Sequence, residues 1–175
     1  QNAISYRLIH TGQHYSAALS DTFFDELQIP NPNKNLDVKS GSQAQQTASI
    51  MIAFEKELTE NRPNFVIVVG DVTSTMACAI VTKKANIPLI HVEAGIRSGD
   101  KTMPEEINRM VTDSITDYFF TTSEKASQNL IRSGHKEENI FFVGNVMIDT
   151  LLQNLDRVKK PLFWNDFNLM PNIIY

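Results

Sequence analysis

The sequence predicts an α/β fold in which a doubly wound parallel sheet is flanked by helices. Three observations lead there. Short β-rich runs alternate with longer helical periods along the chain, and Gly, Pro and Ser punctuate most of the boundaries. The run Phe65-Val66-Ile67-Val68-Val69 is apolar without alternation, as expected of a central strand covered by helices on both faces. Right-handed crossovers then bring successive strands side by side in parallel.

In chain order, strands are expected at 6–11, 65–69, 89–92, 118–121 and 140–143, and helices at 17–27, 42–60, 73–85, 104–116, 123–133 and 147–159. Residues 28–41 are polar and carry prolines at 30 and 32, so they form a long connection of the kind that is more often functional. Residues 1–160 are expected to form one domain. The tail 161–175, rich in large apolar side chains, is read as a segment crossing into something else. With 175 residues, of which 42% are hydrophobic, the chain has material for a real core.

Charge excludes some functions. A net charge of −4 gives no general attraction to nucleic acid or to anionic lipid, so a phosphate-bearing ligand needs local features to hold it. No apolar run is long enough to span a bilayer and no secretory signal is present, which makes the cytoplasm the expected location. The single cysteine, Cys78, sits in an apolar helical stretch and is expected to be packed, not reactive. The seven glycines form neither a dinucleotide fingerprint nor a phosphate-cradling loop with its lysine, so no nicotinamide or ATP cofactor is expected. Metal binding by His10, His14 or His91 is disfavoured because no spacing matches a metal site.

Ligands of open α/β sheets bind beyond the carboxyl ends of the strands, so chemistry is sought just after each one. That selects Thr11-Gly12-Gln13-His14-Tyr15, Gly70-Asp71, the run from His91 to Arg97, and Gly144-Asn145. Asp71 follows the apolar strand directly; its structural alternative is a cap for helix 73–85. Glu93 leaves an apolar strand, where a buried carboxylate needs a partner or a task, and Arg97 is the nearby cation that could make it a plain ion pair. Glu105 and Glu106 open helix 104–116, where Thr102-Met103-Pro104-Glu105 fits a capping box. Ile107, Met110, Val111 and Ile115 are expected to be the buried stripe of that helix. Glu105, Arg109 and Asp113 would then share another face, with Arg109 in a surface pair.

Taken together, Thr11-Gly12-Gln13-His14-Tyr15, Gly70-Asp71, His91-Val92-Glu93-Ala94-Gly95-Ile96-Arg97-Ser98-Gly99-Asp100, Met103-Pro104-Glu105-Glu106-Ile107-Asn108-Arg109 and Val143-Gly144-Asn145 resemble, in order and spacing, the non-hydrolysing UDP-N-acetylglucosamine 2-epimerases. The resemblance implies the first Rossmann-like half of a two-domain fold like that of B-type glycosyltransferases, without the family's first strand and its phosphate-contacting turn. It places the acidic catalytic positions on Asp71, Glu93 and Glu105. It puts Gln13 and His14 at a second, regulatory UDP-GlcNAc site, and Arg97, Arg109 and Asn145 among binding residues. The expected reaction interconverts UDP-GlcNAc and UDP-ManNAc in a homodimer without metal or cofactor, and the 175-residue chain by itself is expected to be inactive.

Rival readings fit less of the sequence. A receiver-type phosphoacceptor needs an acidic pair after its first strand, where Thr11-Gly12 stands. A metallophosphoesterase needs a histidine after Gly144-Asn145, where Val146 stands. A non-catalytic UDP-sugar-binding domain remains the alternative from another class.

Overall fold

The computed structural model describes residues 4–12 and 29–157, which fall into two compact units, one ending at Val143 and the other beginning at Gly144. In the first unit a two-stranded parallel sheet pairs β1 (Ile9–His10) with β2 (Lys34–Asn35). A four-stranded sheet, also wholly parallel, runs β3 (Val66–Val69), β4 (Leu89–Val92), β5 (Tyr118–Thr121) and β6 (Ile140–Phe142), neighbours in space as in sequence. Its crossovers carry α2 (Thr73–Lys84), α3 (Pro104–Ile115) and α4 (Glu124–Arg132), and α1 (Gln43–Glu60) precedes β3. The Rossmann-like α/β class expected from the sequence is the class observed. The second unit holds α5 (Val146–Asn154), capped by Asn145, whose side chain accepts from the Met147 N–H.

Local sequence explains most boundaries. Ser42 accepts from the Gln45 N–H while the Gln45 side chain accepts from the Ser42 N–H, a reciprocal cap worth about 1 kcal/mol at the start of α1. The expected 28–41 connection, of which residues 29–41 are described, holds β2. Leu8, His10 and Thr11 carbonyls accept from the Asn33, Leu36 and Val38 N–H groups, so its polar backbone is satisfied along β1. The expected helix 17–27 and the tail 162–175 lie outside the described residues.

The main core joins Ile50, Phe54 and Leu58 of α1, Val66 and Val68 of β3, and Ala77, Cys78 and Val81 of α2. Each fully buried Ile, Leu or Phe here contributes about 1.5–3 kcal/mol of burial. Burial pushes the Cys78 thiol up to about 12, so it is a packed core residue, as expected. A smaller cluster of Ala94, Phe119 and Leu130 holds α4 against β5.

β3 corrects the expectation of a central strand covered on both faces. It stands at the edge of the four-stranded sheet, with Val66 and Val68 buried but Ile67 and Val69 more than half exposed. Among the described residues α1 and α2 build the core on one face only. Phe65, Tyr118, Phe120, Phe141 and Val143 line an open apolar hollow on the sheet.

Candidate active site

The carboxyl ends of β3 and β4 carry two turns that α3 holds in place. After β3, Gly70 keeps the ladder going by donating its N–H to the Val92 carbonyl and turns at φ +72° into Asp71. After β4, Glu93 itself adopts φ +67°, a left-handed backbone that a residue with a Cβ occupies at a cost of about 1 kcal/mol or more. The turn points its carboxylate back over the first loop: a Cβ added at Gly70 would lie 3.5 Å from Glu93 Oε2. Asp71, Glu93 and Glu105 are each half-buried.

Glu105 opens α3 and lines a hollow of about 400 Å³ with His10, Thr11, Gln43, Gln46 and Thr73. Val72, the neighbour of Asp71, also faces it. The first turns of α1, α2 and α3 meet there, and their unpaired N–H groups and aligned dipoles favour an anionic group. The volume is within the usual range for a small-ligand pocket, about 300–1,000 Å³.

The three carboxylates differ in one respect. Asp71 is paired: Arg109 Nη2 donates to its Oδ2 at 2.5 Å, and Asn108 donates to its backbone carbonyl at 2.8 Å. Glu93 and Glu105 have no hydrogen-bond or ion-pair partner among the described residues. That disposes of two structural alternatives. The residue capping α2 is Val72, without a side-chain bond, so Asp71 is not its cap. Arg97 does not pair with Glu93; it lies 2.6 Å from Asp113 Oδ2 and also donates to the Ile96 carbonyl.

The expected buried stripe of α3 holds only in part, with Ile115 packed against the main core. Ile107 and Met110 are exposed, Val111 and Ile115 only half-buried, and the buried positions are Glu106, Asn108, Thr112 and Asp113. The buried carboxylates of α3 supply acceptors to the backbone N–H groups of the loop after β4. Glu106 accepts from the Ser98 and Gly99 N–H groups, both at 3.0 Å, and Asp113 accepts from the Gly95 N–H at 3.1 Å. Burial alone would push the Glu106 carboxyl up, but those two N–H groups and Arg109 outweigh it and hold the group down at about 2. The folded value lies below the ordinary 4.5, so the staple stabilises fully above that pH and is lost as pH falls toward 2. Nor is Arg109 in a surface pair, since its side chain is 14% exposed and bridges Asp71 and Glu106. The capping box is absent: Met103 caps α3 without a side-chain bond, and Thr102 bonds Asp100 instead.

His91 is fully buried between the two turns. Its Nε2 is 2.8 Å from the Gly70 carbonyl, which can only accept, so Nε2 donates; Nδ1 is 2.7 Å from Asp113. Sequence reasoning missed Glu106, Asn108 and the His91–Asp113 pair. The signal was present in the polar residues at 106, 109 and 113, spaced by three and four along one side of the helix. Of the remaining expected site residues, Asn145 belongs to the second unit, and Gln13 and His14 lie outside the described residues.

A parallel sheet with carboxylates and helix N-termini gathered at its carboxyl rim is the arrangement of a ligand-binding Rossmann-like α/β domain, and comparison with known proteins defines the family. The family model for UDP-N-acetylglucosamine 2-epimerase matches residues 1–170. The chain belongs to this family. It is 46% identical over 157 residues to the UDP-N-acetylglucosamine 2-epimerase of Methanocaldococcus jannaschii, a match covering 90% of this chain and 43% of that protein. It is 38% identical over 164 residues to the UDP-2,3-diacetamido-2,3-dideoxy-D-glucuronate 2-epimerase of Pseudomonas aeruginosa, covering 93% of this chain and 46% of that one. The crystal structure of the Methanocaldococcus jannaschii enzyme in complex with UDP-GlcNAc and UDP superposes with a TM-score of 0.87 at 45% identity, over 95% of this chain and 46% of that one. The chain thus spans less than half the length of these relatives.

Proposed function

We propose that the whole protein inverts C2 of a UDP-N-acetylhexosamine, interconverting UDP-GlcNAc and UDP-ManNAc, with Asp71, Glu93 and Glu105 at the reacting sugar. The observation that carries this reading is the pair Glu93 and Glu105, two half-buried carboxylates at the carboxyl rim of the sheet that have no partner among the described residues. A half-buried acid with neither hydrogen bond nor counter-ion is open to a ligand that supplies the contact.

The chemistry needs such groups. The proton on C2 is not beside a carbonyl, so a carboxylate can remove it only once the C1–oxygen bond to UDP has largely broken. UDP leaves with the bonding pair, positive charge develops at C1, and loss of the C2 proton gives 2-acetamidoglucal. Protonation of C2 from the opposite face and return of UDP to C1 complete the inversion. The reaction is redox-neutral and its protons balance: one carboxylate takes the C2 proton on one face, and the other delivers a solvent-exchangeable proton to C2 on the opposite face. Glu93 and Glu105 take the proton-transfer roles on the two faces. Asp71, already bonded to Arg109, is the fixed negative charge that stabilises the cationic centre.

The family resemblance extends the proposal to a cytoplasmic homodimer and to a second UDP-GlcNAc as effector at Gln13 and His14. A modified UDP-hexosamine is the alternative substrate, given what the Pseudomonas aeruginosa relative is named for. Proton NMR of the whole protein with UDP-GlcNAc is expected to show the anomeric signal of UDP-ManNAc growing to an equilibrium mixture. An unchanged UDP-GlcNAc spectrum under conditions where a diacetamido-glucuronate analogue is epimerised would move the substrate assignment, and no turnover of either would sink the reading.

A further inference from the structure

Arg109 has the charge to grip a diphosphate, yet its contacts point elsewhere. Its two terminal nitrogens are each committed to a carboxylate of this chain: Nη1 to Glu106 at 2.9 Å and Nη2 to Asp71 at 2.5 Å. Side-chain exposure rises along that row, from 3% at Glu106 through 14% at Arg109 to 34% at Asp71, so the member a ligand reaches most readily is the aspartate. Consecutive residues of α3 fix Asp71 at two points, Asn108 on its backbone carbonyl and Arg109 on its carboxylate. Glu106 in turn anchors Arg109 while stapling Ser98 and Gly99, in the loop that begins at Glu93. A planar guanidinium can bridge two carboxylates in this way, whereas the single nitrogen of lysine cannot hold both in the same geometry.

We infer that Arg109 is a positioning residue that acts through Asp71, with Glu106 as its anchor, and that it does not bind the phosphates of the substrate. The inference rests on the reading of Asp71 as a catalytic residue. The Glu106–Arg109–Asp71 row then registers the turn after β3 against the turn after β4, which is what a reaction using Asp71 from one and Glu93 from the other requires.

The test is a double-mutant cycle in the whole protein with Asp71→Asn, Arg109→Gln and the pair together, alongside Arg109→Lys. Epimerisation kinetics, UDP affinity by calorimetry and thermal unfolding are read for each variant. Arg109→Gln and Arg109→Lys are each expected to lower kcat by roughly 10- to 100-fold while KM and the Kd for UDP move by less than about threefold. In the Asp71→Asn background, Arg109→Gln is expected to cost less than about a further threefold, because its route to the chemistry is already cut. A tenfold loss of UDP affinity in Arg109→Gln, near-normal turnover in Arg109→Lys, or multiplying losses in the double variant would overturn the inference and leave the reading of Asp71 standing. Near-normal turnover of Asp71→Asn would overturn that reading and the inference with it. If Arg109→Gln fails to fold, the lysine variant decides: a phosphate-binding role survives the retained cation, and a two-carboxylate bridge does not.

Discussion

Glu93→Gln in the whole protein is expected to lower kcat by about 10²-fold or more, with KM changed by less than about threefold, and Glu105→Gln to do the same. The amide keeps the shape of each side chain and removes its ability to take or give a proton. Neither glutamate supports the fold through a hydrogen bond or an ion pair among the described residues, so the substitutions have no internal contact to break. Thermal unfolding should therefore stay within a few degrees of the unchanged protein, about the shift expected for less than 1 kcal/mol. Stopped assays that follow UDP-ManNAc formation separate the two parameters. Near-normal turnover in a folded Glu93→Gln protein would mean that its left-handed backbone and half-buried carboxylate serve some other purpose.

Gly95→Ala should damage the fold itself. Gly95 lies against α4, where a Cβ would sit 2.3 Å from the Ala126 carbonyl oxygen and 2.9 Å from the Ala126 carbonyl carbon. These are backbone atoms of a helix whose Leu130 packs in the smaller core, so they cannot yield as the end of a flexible side chain can. Gly99 in the same loop supplies the control: its φ is also +79°, but nothing lies within 4 Å of its Cβ position. Both alanine variants bear the left-handed backbone cost of about 1 kcal/mol, and Gly95→Ala adds an overpacking cost of about 1–3 kcal/mol. Urea unfolding of the two variants is expected to show that difference. Equal midpoints would mean that the loop can lift away from α4.

The elements most legible in the sequence were those whose boundaries rest on local chemistry. β4 and β5 occupy the expected residues because a short apolar run ends at a turn in each case, and α1 begins after Ser42 because that residue and Gln45 cap it. Placement just after a strand was enough to put Asp71 and Glu93 at the carboxyl rim, where the structure has them. Periodicity misled at α3, where Ile107 and Met110 face outward and Glu106 and Asp113 inward. Apolar spacing marks a face for burial only if nothing polar competes for the inside. Here the N–H groups of Gly95, Ser98 and Gly99 compete and prevail. Arg97 was matched to Glu93, four residues before it, yet its partner is Asp113, sixteen residues on, brought close by the β4–α3 turn. The edge position of β3 depends on which elements stand beside it, and an apolar run carries no mark of that.

Carboxylates at this rim are proposed to drive elimination and return of UDP. Positional isotope exchange tests this proposal most directly. UDP-GlcNAc carrying ¹⁸O in the bridge between C1 and the β-phosphorus is incubated with the whole protein in D₂O, and ³¹P and ¹H NMR follow the label and C2 together. Deuterium at C2 and migration of ¹⁸O into the non-bridging β-phosphate positions are expected as epimerisation proceeds, because the C1–oxygen bond breaks in every turnover. Deuterium at C2 with the label held in the bridge would contradict the proposal, since the proton would then have been made acidic by oxidation of a neighbouring hydroxyl with the bond to UDP intact.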